Sequence, residues 1–282
     1  MKRDDVILVR GGGDLATGTI HRLWSAGLKV LVLEAEQPAA IRRQVSVSEA
    51  VYEGGAVVEG MRAALVKTLD EAVVVWQRGD VPVMVDPKGE LIPQVRPAAL
   101  VDAILAKKNL GTTRDMAPLT IALGPGFTAG VDVDLVVETK RGHRLGRIIR
   151  EGAAIPNTGV PGVIGGYGAE RVIHAEKAGI FRNVCAIGDL VSAGETIAEI
   201  ETPDGIRTPV TTRIAGILRG LLREGCNAGH PDHEQRAAAD AEAGEQAADC
   251  ACESCGPPRI HRSRRRSPPQ TISAPSTRCS HT

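Results

Sequence analysis

The sequence predicts an α/β fold: a Rossmann-like parallel sheet followed by a second, small module of β strands. Three observations point there. A short apolar run at residues 6–9 meets a glycine turn and then a helix-like stretch, RGGGDLATG leading into TIHRLWSAG. A second apolar run follows at 28–33 and ends in acids. Past residue 170 the pattern becomes short strands divided by Gly-containing turns.

Residues 6–9 (VILV) have the unbroken apolar character of a strand buried on both faces. The next stretch puts Leu15, Ala16, Ile20, Leu23 and Trp24 on one helical face, and Gly27 suits a left-handed cap. LKVLVL then delivers Glu34 and Glu36. Gly11-x-Gly13-x-x-Ala16 has the spacing of a dinucleotide-binding turn, and Glu34 stands about twenty residues on, where a carboxylate meets a ribose hydroxyl. Glycine lets backbone N–H groups approach a phosphate, and a helix N-terminus adds positive potential. The candidate cofactor-binding residues here are Gly11, Gly12, Gly13, Asp14, Ala16, Thr17, Gly18 and Glu34. The competing reading is a tight βα turn that binds nothing. Asp14 is unwelcome beside a phosphate unless it caps the helix.

Residues 41–80 include a β-rich stretch and then the helix-like TLDEAVVVWQRGD, and VPVMV is a further strand. PAALVDAILAKKN reads as helical or mixed, with Leu100, Val101, Ile104 and Leu105 as its apolar positions. It ends in Lys107, Lys108 and Asn109, which are either a solvated helix end or an anion site. Residues 119–123 form a strand. Gly124, Gly126, Thr128 and Gly130 belong to a second glycine-rich loop, and an alternating strand is expected at 131–137. The G-K-[ST] ending of a P-loop is absent, which leaves a nest of N–H groups as the way this loop would hold an anion. Arg141 and His143 follow, and Asn157 and Thr158 sit in a long Gly/Pro loop at 156–168. Asp132 and Asp134 are further candidate carboxylates. No nucleophile–base pair stands out, so the catalytic residues are unknown, and no metal site is assigned.

Residues 171–225 resemble a biotinyl/lipoyl-type β-barrel that stops short. Gly188-Asp189-x-Val191-x-x-Gly194 and IAEI match its first half, and 209–222 the start of its second. Carrier domains of that kind have a lysine in the central hairpin. ETPDGI has none, so packing or docking is the expected role. From Cys226 onward the composition changes: no Leu, Val, Met, Lys, Phe, Tyr or Trp occurs. Such a segment cannot bury enough apolar surface to offset its ordering entropy. It reads as a disordered tail from a slipped reading frame; the competing readings are a natural disordered tail, a metal motif at Cys250, Cys252 and Cys255, and an anion-binding run at Arg262 to Arg266. The expected organisation is 1–170, 171–225 and 226–282.

The whole chain of 282 residues carries zero net charge, with 43% hydrophobic and 2% aromatic residues. The core must therefore be built from Val, Ile, Leu and Ala. Nothing argues for nucleic acid or an acidic membrane surface as partner. No run has the length or character of a signal peptide or a membrane span, which makes the cytoplasm the expected location.

Read together, RGGGDLATG, SEAVYEG, VDAILAKKN, GTTRDMAPL, ALGPGFTAGVD, ETKRGH and PNTGVPG resemble the YqeB-type accessory proteins of selenium-dependent molybdenum hydroxylases. There is a looser likeness to xanthine dehydrogenase accessory proteins. The likeness covers about residues 5 to 225 in order. It implies a cytoplasmic maturation factor acting on a molybdenum hydroxylase, its expected partner, or on the molybdenum cofactor. With the glycine loops, the expected ligand is a nucleotide or a phosphorylated, molybdopterin-type pterin. The alternatives are an NAD-dependent oxidoreductase, for which Glu34 favours NAD over NADP, and a docking scaffold whose glycine loops are only turns.

Overall fold

β1 (Val6–Arg10) lies between two parallel neighbours, and the main sheet grows outward from it. The computed structural model describes residues 5–175, 177–228 and 237–242. All of them fall in one compact unit, Met1–Gly244.

After β1 come β2 (Lys29–Glu34), β3 (Gly55–Val58), β4 (Met61–Leu65), β5 (Val81–Val85), β6 (Ala99–Asp102) and β7 (Thr120–Leu123). β8 (Thr128–Ala129), β9 (Leu135–Val137), β10 (Ile148–Ile149) and β11 (Gly152–Ala153) follow. The large sheet has the order β10-β9-β7-β6-β1-β2-β5-β4-β3, while β8 and β11 form a separate pair. From β9 to β4 every pairing is parallel, and β10 and β3 close the edges antiparallel. From β2 the chain goes to the sheet edge at β3, returns inward through β4 and β5, then crosses to β6 on the other side of β1.

Helices α1 (Asp14–Ser25), α2 (Ala50–Glu53), α3 (Leu69–Gln77) and α4 (Ile92–Val95) cover this sheet. The period of two along each strand sends alternate side chains to opposite faces. Ile7, Val9, Val30, Val32 and Val101 pack with Ala16 and Ile20 of α1. Leu8, Leu31, Leu33, Met84 and Leu100 pack with Ala72 and Val75 of α3. Thr68 Oγ1 accepts from Glu71 N at 3.2 Å, and Glu71 Oε2 accepts from Lys67 N at 2.7 Å, so the start of α3 is capped from both directions. Gly27 ends α1 with φ +76°, as its position predicts.

Two expectations are corrected. PAALVDAILAKKN is not helical: it forms β6 and then an irregular loop. Leu100 pairs with Leu8 on one side and Thr120 on the other, and an apolar run this short takes the conformation its neighbours dictate. The strand expected at 131–137 is only Leu135–Val137, because a tight turn at 128–133 takes the first residues and leaves Val131 exposed. The β-rich stretch expected within residues 41–80 is β3 and β4, and the helix-like run after it is α3.

The second region contributes β12 (Val172–His174), β13 (Gly179–Asn183), β14 (Leu190–Val191), β15 (Thr196–Glu201) and β16 (Arg207–Thr211). β17 (Gly216–Leu221), β18 (Asn227–Ala228) and β19 (Ala237–Glu242) complete it. They form two small antiparallel sheets, β12-β19-β17-β14 and β16-β15-β13-β18. Phe181, Ile197, Ile200, Leu218 and Leu221 share one apolar cluster with Ala228. β18 and β19 both lie past residue 225, in the stretch that composition sets apart as a tail. Cys250, Cys252, Cys255 and Arg262 to Arg266 lie outside the described residues.

This region is held to the segment after β2. Leu221 N donates to Ile41 O at 2.9 Å, and Arg43 Nε donates to Leu221 O at 3.0 Å. The Arg223 guanidinium pairs with Glu49 and Glu53 and lies 4.4 Å from the centre of the Tyr52 ring.

Candidate functional site

A cleft of about 330 Å³ opens at the carboxyl ends of β1, β2, β5 and β6. Gly11 and Gly13 form one wall with Asp14, and Glu34 and Ser48 another. Asp86, Ala103, Ile104, Leu105 and Leu110 close the far side, and Arg10 also lines it.

The glycine turn has two different jobs. Gly11 has φ +93°, and a Cβ there would lie 2.9 Å from Ala103 O, so the turn must be glycine to pass the end of β6. At Gly12 a Cβ would meet Ser48 N at 3.1 Å. Gly13, at the N-terminus of α1, faces open space. Gly12 N donates to Glu34 Oε2 at 2.6 Å, and Ala35 N to Glu34 Oε1 at 2.8 Å. The acid at the end of β2 therefore clamps the loop it faces. Ser48 N donates to Gly12 O at 2.9 Å, while Thr17 Oγ1 donates to Gly13 O at 2.8 Å and accepts from Val47 N at 3.0 Å. Asp14 Oδ1 accepts from Leu15 N at 2.9 Å, and its other oxygen lies 3.8 Å from Arg42.

Beneath the cleft is a buried polar cluster. Arg10 donates to Thr112 Oγ1 at 2.6 Å and to Pro87 O at 2.9 Å. Thr112 Oγ1 donates to Asp102 Oδ2 at 2.6 Å, and Ile104 N to Asp102 Oδ1 at 3.2 Å. Burial pushes the Asp102 carboxyl above its ordinary range, against the pull of Thr112, Ile104 and Arg10. Asn109 fixes this loop: its Oδ1 accepts from Gly111 N and Thr112 N, both at 2.8 Å. Asp86 accepts from Glu90 N at 2.9 Å and Leu91 N at 2.8 Å.

Of the residues singled out in the sequence, Gly11, Gly13, Asp14 and Glu34 line the cleft, and Gly12 and Thr17 build its wall. Ala16 is in the core, and Gly18 opens to space on α1. Lys107, Lys108 and Asn109 are on the loop after β6. That loop meets the second glycine loop, where a Cβ on Gly126 would lie 2.7 Å from Lys108 N. Gly124 packs against Thr139 and Leu105. Thr128 and Gly130 belong to the turn closed by Thr128 N to Asp132 Oδ2 at 2.7 Å and Gly130 N to Val133 O at 2.7 Å. Asp134 holds Arg114 and Thr120, and the Thr120 N–H keeps its carboxyl below the usual range. Arg141, His143, Asn157 and Thr158 are exposed and do not line the cleft. Among the described residues, no group of three or more His, Cys, Asp or Glu is placed to hold a metal ion.

Sequence reading misses Arg10, Ser48, Asp86, Asp102 and Thr112. Arg10 and Asp102 do leave a signal: each is a charge at the end of an unbroken apolar run.

Over 220 residues, 78% of its length, the chain is 50% identical to the uncharacterized protein YqeB of Escherichia coli strain K12. The chain spans 40% of that relative's length. No family model matches the chain. Among solved structures, the ectoine utilization protein EutE (DoeB) from Ruegeria pomeroyi aligns over 86% of both chains at 12% identity, with a TM-score of 0.27. A succinylglutamate desuccinylase/aspartoacylase from Rhodobacter sphaeroides aligns over 84% of this chain and 85% of its own at 14% identity, with a TM-score of 0.24. No helix among the described residues is long and apolar enough to cross a membrane.

Proposed function

We propose that the chain is a maturation factor for a molybdenum hydroxylase, selenium-dependent enzymes being the expected clients. In this reading it binds a nucleotide or a phosphorylated pterin in the cleft beside β1, in the cytoplasm. The sheet is read as Rossmann-like and the C-terminal strands as a small barrel-type docking module.

The observation that carries the reading is the position of the cleft. It sits at the carboxyl ends of parallel strands, where the chain crosses from one side of β1 to the other, and such crossings are where open α/β sheets hold ligands. The N-terminus of the twelve-residue α1 forms one wall, with Gly13 open to the cleft. A helix start of that length favours an anionic group. The link to molybdenum hydroxylases rests on the resemblance of the sequence motifs, and YqeB similarity over 220 residues supports the family part of it.

Mass spectrometry of small molecules released from the purified protein tests the ligand. A pterin or its nucleotide conjugate is the expected result. NAD alone would replace the proposal with an oxidoreductase. An empty, folded protein would replace it with a docking scaffold.

A further inference from the structure

Ser48 lines the cleft, is fully buried, and its hydroxyl has no hydrogen-bond partner among the described residues. Native proteins rarely leave a buried hydroxyl orphaned, and a missing ligand is one reason to find one. Its position is not loose. The Ser48 N–H donates to Gly12 O at 2.9 Å, so its backbone is held beside the glycine turn.

The charges around it restrict what a ligand must present. Asp14, Glu34 and Asp86 line the same cleft and, as carboxylates, only accept hydrogen bonds; Glu34 already accepts from Gly12 N and Ala35 N and Asp86 from Glu90 N and Leu91 N, but a carboxylate offers about four acceptor sites. Among the described residues lining it, Arg10 is the one cation, and its guanidinium already serves Thr112 and Pro87 O. Ligand groups reaching past the α1 N-terminus therefore meet acceptors and one hydroxyl.

We propose that the cleft recognises its ligand by a hydrogen-bond-donating heterocycle edge, the 2-amino-4-oxopyrimidine face that pterins and guanine share, with Ser48 as a contact. This rests on the ligand-binding reading above and names the part of the ligand that the inner cleft selects. The amino and ring N–H groups donate to the carboxylates, while the Ser48 hydroxyl accepts from or donates to the same edge. The anionic end of the ligand is left to the α1 N-terminus.

The test uses pterin and lumazine, which differ by an oxo group in place of the amino group, titrated into the full chain by fluorescence. Lumazine is expected to bind at least about tenfold more weakly, because it turns an acceptor toward carboxylates. Ser48→Ala is expected to weaken pterin binding about 5- to 10-fold, the size of one hydrogen bond, without lowering the melting temperature. Equal binding of the two probes, no pterin binding, or unchanged affinity in Ser48→Ala would overturn the inference. Gly13→Asp separates the two levels. If that variant loses binding while Ser48→Ala does not, the cleft holds a ligand and only the selectivity assigned to it fails. If neither variant matters, the cleft is not the site.

Discussion

Arg10 and Asp102 lie side by side at the ends of β1 and β6, with guanidinium and carboxylate 3.9 Å apart and Thr112 Oγ1 bonded to both. Each is about as buried as the leucines around it. They join two adjacent strands beneath the cleft, at the place where the chain crosses to the other side of β1. Removing one partner leaves the other charge in a dry setting. Asp102→Ala is expected to lower unfolding stability by about 3–5 kcal/mol in urea titrations. A loss below about 1 kcal/mol would mean that Thr112 and Pro87 O satisfy Arg10 alone.

Asp102 also gives a pH dependence with a definite sign. Its carboxyl is raised from 3.8 by burial, so the fold favours the protonated form. That contribution is fully present below the ordinary carboxylate value and is lost as pH rises through the folded value. The stability of the wild type relative to Asp102→Asn should therefore fall as pH rises from about 4. A difference that stays flat, or rises, contradicts the assignment.

The glycine turn separates into a position that must be glycine and one that need not be. Gly11→Ala meets both a positive φ and the backbone of Ala103, and is expected to cost about 2–4 kcal/mol. Gly13→Ala meets neither and should stay within about 0.5 kcal/mol. Thermal unfolding of the two variants decides this, and equal losses would refute it.

Arg223 should matter by shape as well as charge. It pairs with Glu49 and Glu53 while lying over Tyr52, a task for a planar guanidinium. Arg223→Ala is expected to cost about 1–2 kcal/mol, and Arg223→Lys to recover less than half of it. Full recovery by lysine would show that charge alone is used.

The strand–turn–helix–strand unit around the cleft is legible because each piece has a local cause. VILV and LKVLVL are buried on both faces, Gly11 must pass Ala103, and Gly27 caps α1. Leu15 departs from the expected helical face and is exposed, since α1 buries only Ala16, Thr17 and Ile20. β6 is not legible as a strand: PAALVDAIL has no period that separates helix from strand, and the pairing with Leu8 and Thr120 decides it. Half the cleft is likewise hidden. Ser48 and Asp86 reach it from turns after β2 and β5, and no local pattern announces where a distant turn will end. Arg141, His143, Asn157 and Thr158 illustrate the converse: polar residues in a Gly-rich setting suggest a site, yet their loops lead away from the cleft.

The most direct measurement is the occupancy of the cleft in the wild type and in Gly13→Asp, read by mass spectrometry of released small molecules at matched melting temperature. The new carboxylate would stand in open space at the α1 N-terminus, where the anionic end of the ligand is expected. A pterin or nucleotide recovered from the wild type and lost from the variant is the predicted result. The same ligand at the same occupancy in both, or none in either, would contradict a ligand-binding cleft at the glycine turn.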